Sequence, residues 1–268
     1  MIQAMLAQTR EPSVVSTLTW ADTWCMQQKC DGVRVLPHLE NGKVTCYSRK
    51  GLPMQVAPSV TSALKVFSRG TWVFDGEYLN DELWLFDLVV ADEIITPRTP
   101  YCDRRGTLVR LIDHLGIDEG IKVLPSVTGI EGKQELLRRL TEHKAEGYML
   151  RSLSSPYLPG KRSKDLVKVK WNKDIDCVVT RLYVGGHNNF AVAVYDGDRL
   201  VEIGEVTRLS ADGDKVKPGD VVTVKILYVT NDNRLYQPTL PRLRSDKDPE
   251  ECTIDQLENC RTTKAVLA

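Results

Sequence analysis

The sequence predicts an α+β protein built in two parts. Residues 1–172 combine strand-like runs with helical periodicity, whereas residues 173–268 contain short β-rich runs separated by turn signals. A chain of 268 residues, 42% of them hydrophobic, can bury a core in each of two modest domains. We therefore predict a mixed domain over 1–172 and a small β-barrel or sandwich, OB-like in size, over 173–268.

The individual elements follow from periodicity. Runs rich in β-branched and aromatic residues predict strands at Trp72–Tyr78, Leu83–Val90, Gly147–Arg151 and Leu166–Trp171. Apolar residues at helical spacing predict helices around Leu108–Leu115 and Leu136–Leu140. In the second part, turns are predicted at Gly185-Gly186, Asp196–Asp198, Asp212-Gly213 and Pro218-Gly219.

The charges are unevenly distributed along the chain. The formal net charge is zero, from 36 basic and 36 acidic residues. Between Lys144 and Lys173, however, eight basic residues stand against Glu146 and Asp165 alone, a local balance of eight minus two, or +6. Such a stripe is typical of a surface that binds a polyanion, although an ordinary solvated surface is the commoner cause of a charge run.

The cysteines and the N-terminus indicate a compartment. Seven cysteines form an odd set without Cys-x-x-Cys or Cys/His spacing, which argues against a disulfide framework and against structural zinc. The first residues lack the basic flank and long apolar run of a signal peptide, and no segment approaches transmembrane length. We expect a soluble protein of the cytosol with reduced thiols and no membrane partner.

The hexamer Lys29-Cys30-Asp31-Gly32-Val33-Arg34 offers a lysine suited to covalent catalysis. An amine attacks phosphorus only when it is unprotonated, and Arg34 is close enough in sequence to steer a phosphate and disfavour the ammonium form. The same residues also fit a hairpin in which Asp31-Gly32 turns between two strands and Lys29 and Arg34 are solvated. The hexamer alone leaves both interpretations open.

Further polar side chains follow in a particular order. Arg49 ends a short strand, and Glu77 lies on a strand beside Gly76, which would let a ligand approach closely. Phe86 is an aromatic residue on an apolar strand, suited to stacking on a base, and Glu146 precedes a second glycine. Taken singly, each of these residues fits an ordinary structural role.

Two lysine-rich and arginine-rich segments complete the set. Leu166–Lys170 alternates strictly, so Lys168 and Lys170 point to one face of a strand. Far downstream stands Arg242-Leu243-Arg244-Ser245-Asp246-Lys247. Because chance seldom supplies six such elements in one order, their combination favours an active site over six unrelated surface features.

This ordered set resembles the nucleotidyltransferase motifs of the ATP-dependent DNA ligases. The matching segments are the lysine hexamer, Ser48–Gly51, Asp75–Glu77, Phe86-Asp87, Glu146–Arg151, Tyr157–Arg162, Lys168–Lys170 and the final Arg-x-Asp-Lys motif at Arg244–Lys247. The resemblance covers nearly the whole chain. It implies a nucleotidyltransferase (ATP-grasp-like adenylation) domain over 1–172 followed by an OB-fold β-barrel domain over 173–268.

The resemblance also implies what kind of ligase to expect. With no room for an N-terminal DNA-binding domain, the chain looks like a minimal two-domain ligase of phage or bacterial accessory type, a cytoplasmic monomer of a bacterium or a phage-infected cell. It would serve DNA repair, replication or recombination by sealing nicked duplex DNA. One position departs from the family: Gln27 stands where cellular ligases often carry Glu against the adenine amino group. An amide oxygen can still accept that hydrogen bond.

The residue roles are those that the resemblance implies. Lys29 would attack the α-phosphorus of ATP to give a lysyl-AMP, with Mg²⁺, or Mn²⁺ in its place, as the metal. The nucleotide would be bound by Gln27, Arg34, Arg49, Glu77, Phe86, Lys168 and Lys170, and the metal by Glu77 and Glu146. Lys168, Lys170, Arg244, Asp246 and Lys247 would assist catalysis, the last three once the second domain closes over the nucleotide. DNA would contact Lys161, Arg162 and Lys164.

Three alternatives remain open. An mRNA capping guanylyltransferase shares the hexamer, the carboxylates and an Arg-x-Asp-Lys ending, but it would use GTP. An RNA ligase shares the lysine chemistry and usually lacks the final barrel motif. A non-catalytic OB-type binding module would be expected to have lost at least one catalytic residue, and here all of them are present.

Overall fold

The computed structural model describes residues 1–183, 189–207 and 216–262, and the chain divides into two compact units, Met1–Lys170 and Trp171–Thr263. The predicted turns at 185–186 and 212–213 lie outside the described residues. No helix in the described part is both long and apolar enough to cross a bilayer.

The first unit contains two β-sheets. One has the strand order β1-β9-β8-β2, formed by β1 (Leu6–Thr9), β2 (Trp24–Gln28), β8 (Gly147–Ser152) and β9 (Arg162–Lys170). The other has the order β4-β3-β5-β6-β7, formed by β3 (Val33–Glu40), β4 (Lys43–Ser48), β5 (Thr71–Leu79), β6 (Glu82–Ala91) and β7 (Ile121–Val123). The strands predicted from sequence fall within β5, β6 and β8 and largely within β9.

Helices pack against both sheets. They are α1 (Ser16–Trp20), α2 (Pro58–Leu64), α3 (Tyr101–Leu115) and α4 (Ile130–Glu142), with a 3₁₀ turn at Pro12–Val15. The helices α1 and α4 contact β2 of the first sheet, whereas α2 and α3 contact β6 and β7 of the second sheet. Leu64 of α2 and Leu108 of α3 pack with Phe74 of β5 and Leu85 of β6 in one fully buried cluster. The burial of these side chains is what fixes α2 and α3 on the sheet. The two predicted helices correspond to parts of α3 and α4.

The opposite face of β5 points toward the first sheet. Val73 packs with Met5 and Leu166 in a second buried cluster. Because strand side chains alternate between faces, Asp75 and Glu77 share the side of Val73, whereas Phe74 and Tyr78 belong to the helix-covered side. The space between the sheets is therefore where the polar residues of β5 converge.

The second unit is a small barrel. Its strands pair in the closed order β10-β11-β12-β16-β13, formed by β10 (Lys173–Leu182), β11 (Asn189–Asp196), β12 (Arg199–Thr207), β13 (Val221–Ile226) and β16 (Thr239–Arg244). Between β13 and β16 lies a short pair, β14 (Tyr228–Val229) and β15 (Leu235–Tyr236), and 3₁₀ turns follow at Pro249–Glu251 and Ile254–Cys260.

The barrel interior is filled by alternate residues of its strands. Ile175, Cys177 and Val179 of β10 pack inward together with Val222 and Val224 of β13. The residues between them therefore face outward, which places polar groups on the outer surface of the β10–β13 pair.

Candidate active site

The Lys29–Arg34 segment passes from one sheet to the other. It joins β2 of the first sheet to β3 of the second, and these two strands do not pair. The hairpin interpretation of Asp31-Gly32 is therefore wrong. Gly32 is needed for a different reason: a Cβ there would lie 2.5 Å from the Tyr78 carbonyl oxygen and 3.0 Å from Cγ of Glu77. The glycine lets the lysine segment lie directly against β5.

Lys29 lies beside a buried carboxylate. Its Nζ is 2.5 Å from Oε2 of Glu146, and Nζ of Lys170 is 3.2 Å from Oε1 of the same group. Glu146 is buried, whereas both lysines keep part of their surface exposed. The backbone N–H of Lys29 also donates a hydrogen bond to the Gly147 carbonyl at 3.0 Å. At Gly147 a Cβ would lie 2.0 Å from the Val169 oxygen, so only glycine brings β8 and β9 together behind the lysines.

Lys168 lies among cations. Burial lowers the pKa of Lys168, and the charges of Lys170, Lys29, Arg49 and Arg162 lower it further. In the described part of the chain no carboxylate pairs with the Lys168 ammonium. Such a concentration of positive charge is a site for an anion such as phosphate.

The three residues predicted to contact DNA lie at the start of β9 or just before it. Lys161, Arg162 and Lys164 are exposed, and Arg162 Nη1 donates to the Ala7 carbonyl. Arg162 is thereby anchored to β1, and its charge also lowers the pKa of Lys168. Of the three, it is the residue that the structure links to the lysine cluster.

Arg34 is held by a residue that the sequence did not single out. Its Nε and Nη2 donate to Oδ1 and Oδ2 of Asp75 at 2.8 and 2.5 Å. Asp75 is completely buried and also accepts a 2.7 Å hydrogen bond from the Tyr157 hydroxyl. Burial alone would lower the pKa of Arg34, but the charge and hydrogen bonds of Asp75 outweigh it and raise that pKa. A paired guanidinium of this kind is rigid.

Glu77 stands opposite Arg34 in the register of β3 and β5. Burial raises the pKa of the Glu77 carboxyl to about 7, although Lys29 and Arg34 partly offset that effect. The Gly32 backbone also lowers this pKa. The expectation that Gly76 leaves space for a ligand is wrong, because a Cβ at Gly76 would lie 2.8 Å from the Trp84 carbonyl oxygen on β6.

The hydroxyl group of Tyr101 contacts both Phe86 and Gln27. The Tyr101 hydroxyl donates to the Phe86 carbonyl at 3.1 Å and lies 3.4 Å from Oε1 of Gln27. Gln27 is only 3% exposed, and its Nε2 has no hydrogen-bond partner among the residues that the structure describes. The Phe86 ring is half-buried, and Arg34 and Arg151 approach its centroid at 5.4 and 5.5 Å. A buried amide donor beside an accessible ring suits recognition of a flat, polar-edged molecule.

A buried ion-pair network supports this region. Asp87 is fully buried. Its carboxylate accepts hydrogen bonds from Nε and Nη2 of Arg104 at 2.8 and 2.9 Å and from Nη1 of Arg151 at 2.5 Å. Arg104 is itself fully buried and also donates to two backbone carbonyls. Arg151 lies 4.3 Å from the Tyr101 ring centroid. The network connects β6, α3 and β8 behind Phe86.

The residues present fit a magnesium ion that is held largely through phosphates. Burial, together with the charges of Glu77 and Glu146, raises the pKa of the Cys30 thiol to about 12, so both carboxylates act on the lysine segment. No group of three acidic, His or Cys ligands occurs within the described residues. One or two carboxylates completed by substrate phosphates is a usual Mg²⁺ arrangement.

The barrel carries a second, separate cluster. Oδ2 of Asp176 accepts from Nη1 of Arg244 at 3.1 Å and from Nζ of Lys247 at 2.9 Å. Nε and Nη2 of Arg244 bond in a fork to Asp246 at 2.7 and 2.9 Å, and Arg244 holds the pKa of Asp246 down at about 2. The three predicted residues Arg244, Asp246 and Lys247 thus form one network, joined by Asp176, which the sequence did not indicate.

Comparison with known proteins gives a family likeness for part of the first unit. Residues 79–170, which include Phe86, Glu146, Lys168 and Lys170, match the family model described as the ATP dependent DNA ligase domain. This segment resembles the ATP-dependent DNA ligases. The predicted resemblance is thereby confirmed for a segment that carries four of the predicted nucleotide-site and metal-site residues, on β6, on β9 and just before β8.

Curated relatives extend the likeness beyond residues 79–170. DNA ligase 1 of Korarchaeum cryptofilum is 24% identical, with 97% of this chain and 59% of that protein covered. A DNA ligase of Thermococcus fumicolans is 26% identical, with 96% of this chain and 58% of that protein covered. The chain therefore spans somewhat less than two thirds of the length of these relatives, all of which are enzymes by name.

Solved structures confirm the predicted ligase nucleotidyltransferase fold. Lig E DNA ligases, described as binding DNA with a minimal scaffold, superpose with a TM-score of 0.69 at 17% identity, covering 91% of this chain and all of that chain (100%). A mycobacterial DNA ligase D complexed with ATP and MES gives a TM-score of 0.52 at 24% identity, covering 94% of this chain and 98% of that chain.

In the first unit, the residues that the sequence analysis missed are the buried ones that support the site. Asp75 adjoins a predicted residue in Asp-Gly-Glu, and Tyr157 opens a segment that matched the family, so both had a weak signal. Arg104 had none, because an arginine on a helix is usually exposed. Arg49 is exposed, and the structure relates it to the other predicted residues only through the charge that it exerts on Lys168.

Proposed function

We propose that the protein is an ATP-dependent DNA ligase that seals 5′-phosphate/3′-hydroxyl nicks in duplex DNA through a lysyl-AMP and a DNA-adenylate. The observation that carries this proposal is the placement of Lys29 against Glu146, beside Lys170 and the cations around Lys168. An amine nucleophile next to a concentrated anion site is what covalent phosphoryl-group chemistry needs.

The proposed reaction consists of three displacements at phosphorus. The Lys29 amine forms a P–N bond to the α-phosphorus of ATP while the bond to pyrophosphate breaks. The 5′-phosphate of the nick then takes the AMP and returns the amine to Lys29. Finally the 3′-hydroxyl attacks that 5′-phosphate, closes the strand and releases AMP. Lys168 and Lys170 neutralise charge on the reacting phosphate in this scheme.

The nucleoside is bound by the residues around the cleft. We propose that Phe86 stacks on adenine, Gln27 bonds to the edge of the base, and Glu77 binds the ribose hydroxyls. Arg34, made rigid by Asp75, and Arg49 bind ribose or phosphate oxygens. Magnesium, held by Glu146 and Glu77 together with phosphates, would supply charge neutralisation at the triphosphate when bound.

The remaining assignments are also proposals. The functional domains are residues 1–172 and 173–268, and the barrel is an OB-fold, which its five-stranded order supports. Lys161, Arg162 and Lys164 bind the DNA backbone, as their exposure and charge allow. Arg244, Asp246 and Lys247 act on the triphosphate in the first step. The protein works as a monomer on nicked DNA.

One labelling experiment tests the proposal. The protein is incubated with α-labelled ATP or GTP and magnesium, the labelled band is recorded, and the band is chased with nicked DNA or nicked RNA. ATP labelling that is chased by nicked DNA is expected, and it should disappear in Lys29→Ala but persist in Lys65→Ala, an exposed lysine elsewhere.

Each other result selects another function. Labelling by GTP alone would indicate a capping guanylyltransferase, and a chase by nicked RNA alone would indicate an RNA ligase. No labelling by either nucleotide would indicate a non-catalytic binding module. Labelling retained in a folded Lys29→Ala variant would exclude Lys29 as the nucleophile.

A further inference from the structure

We propose that Asp176 is the positioning residue for the basic cluster of the barrel: it holds Arg244 and Lys247 in the single arrangement that receives the departing pyrophosphate. This inference rests on the proposed ligase function and adds to it a residue outside the predicted set. Asp176 would touch neither the nucleotide nor the DNA and would act through the two cations that it binds.

The barrel register brings the participants together. Asp176 on β10 pairs with Thr223 on β13, and Thr223 pairs with Arg242 on β16. The three residues form one row across neighbouring strands, with side chains on the outer surface because Ile175 and Cys177 face the core. Arg244 lies two residues beyond Arg242 on the same strand, and Lys247 follows the strand end, so both cations can reach the Asp176 carboxylate.

Both oxygens of Asp176 are used. Oδ1 accepts a 2.7 Å hydrogen bond from the Thr223 hydroxyl, and Oδ2 accepts from Arg244 and Lys247 at 3.1 and 2.9 Å. Burial opposes the ionised carboxylate, but the hydrogen bonds from Lys247 and Thr223 outweigh it and keep the pKa of Asp176 below its usual value. Asp176 is therefore a fixed anion that is itself oriented by Thr223.

The two carboxylates on Arg244 differ in exposure. The Asp176 side chain is 15% exposed, whereas that of Asp246 is 68% exposed. Water competes far better for the exposed fork between Arg244 and Asp246 than for the recessed bond to Asp176. A polyphosphate can therefore replace Asp246 on Nε and Nη2 of Arg244 while Nη1 stays on Asp176. Lys247, anchored by a single hydrogen bond to Asp176, keeps two further N–H donors for the same anion.

The test separates the first step from the last. Initial rates of AMP labelling are measured against ATP concentration, and sealing of a pre-adenylated nick is measured without ATP. Asp176→Asn is expected to slow labelling about tenfold or more, because it removes a charge-assisted anchor, and to change sealing less than about twofold. Asp176→Glu, which keeps the charge, should recover part of the loss. Asp174→Asn, an exposed carboxylate two residues away on the same strand, should leave both rates unchanged.

One further measurement is independent of activity, and a second tests the orientation of Asp176 by Thr223. The Nε–H resonance of Arg244 in ¹⁵N spectra should broaden or shift in Asp176→Asn and stay in place in Asp174→Asn. Thr223→Val should slow labelling by a smaller factor, about threefold, and add little on top of Asp176→Asn, because both changes release the same carboxylate.

The possible outcomes distinguish a failure of the positioning role of Asp176 from a failure of the proposed function. Equal losses of labelling and sealing in Asp176→Asn, or an unchanged Arg244 resonance, would overturn the positioning role, as would full activity in that variant. If the wild-type protein is labelled by neither nucleotide, the proposed function fails instead, and the Arg244 spectra alone then decide whether Asp176 orders the cluster.

Discussion

The Lys29 ammonium lies 2.5 Å from one oxygen of Glu146, and the Lys170 ammonium lies 3.2 Å from the other oxygen. Glu146 thus separates two cations that the strand geometry of β8 and β9 brings close together. A carboxylate placed in this way orients the lysine, and we propose that it also offers an oxygen to a metal ion.

Glu146→Gln should weaken AMP labelling and raise its magnesium requirement by about tenfold or more, because an amide is a poorer metal ligand than a carboxylate. The measurement is a magnesium titration of initial labelling rates. The matched control is Glu93→Gln, an exposed carboxylate on the same unit. An unchanged magnesium profile in Glu146→Gln would remove Glu146 from the metal site.

Asp75→Asn should destabilise the first unit by about 3 kcal/mol or more, because it leaves the Arg34 guanidinium without its buried counter-charge. Tyr157→Phe removes the hydrogen bond to Asp75 and the acceptor of the buried Met5 N–H, and should cost about 2 kcal/mol. Urea unfolding measures both variants. If the two variants lose the same amount, the Arg34–Asp75 pair contributes no more than these two hydrogen bonds of Tyr157.

Arg104→Met should lower the free energy of unfolding by about 3–5 kcal/mol, because Asp87 then keeps a single buried partner, Arg151. Arg138→Met is the comparison, since Arg138 also bonds to two carboxylates but is 57% exposed on α4. Its unfolding midpoint should be unchanged, because water screens exposed pairs. A midpoint loss in Arg138→Met as large as that in Arg104→Met would contradict the distinction.

Lys168→Met should stabilise the protein at pH 7, by less than about 1 kcal/mol given the partial exposure of the side chain. The pKa of Lys168 is lower in the folded protein than in the unfolded chain, so the charged ammonium destabilises the folded state. This destabilisation is largest at pH values below the folded-state pKa. The unfolded chain binds more protons between the folded pKa and the ordinary value, so the gain from Lys168→Met should fade as pH rises through that interval. Thermal unfolding at several pH values measures it.

Anion binding gives an independent test of the Lys168→Met variant. Added pyrophosphate should raise the unfolding midpoint of the wild type more than that of Lys168→Met, and Lys65→Met should behave as the wild type does. A wild-type midpoint that does not respond to pyrophosphate would show that the cations around Lys168 do not form an anion site.

Gln27→Glu should sharpen the preference for ATP over GTP by about tenfold. The amide Nε2 of Gln27 can donate to the guanine carbonyl, whereas a carboxylate would repel that oxygen and still accept from the adenine amino group. The measurement is the ratio of labelling rates with the two nucleotides. A ratio that does not change would mean that Gln27 does not contact the edge of the base.

Much of the site followed from the order of residues along the chain. Lys29, Glu146, Lys168 and Lys170 were predicted as one site, and the structure brings them together because β2, β8 and β9 are neighbours in one sheet. The alternation of Lys168 and Lys170 with buried valines is a local property of a strand, so the sequence alone could specify it.

The tertiary structure decided which groups pair. From sequence, Asp31-Gly32 fitted a hairpin, but β2 and β3 lie in different sheets, and Gly32 serves a close approach to β5. The pairing of Asp75, Arg104 and Asp176 became visible only in three dimensions. Asp75 binds Arg34, 41 residues away, Arg104 binds Asp87, 17 residues away, and Asp176 binds Arg244, 68 residues away. Residue order was enough to predict the proposed catalytic residues, because motif chemistry is local. Burial and long-range pairing determined its supports, because a charge buried away from water needs a partner that only the fold can bring near.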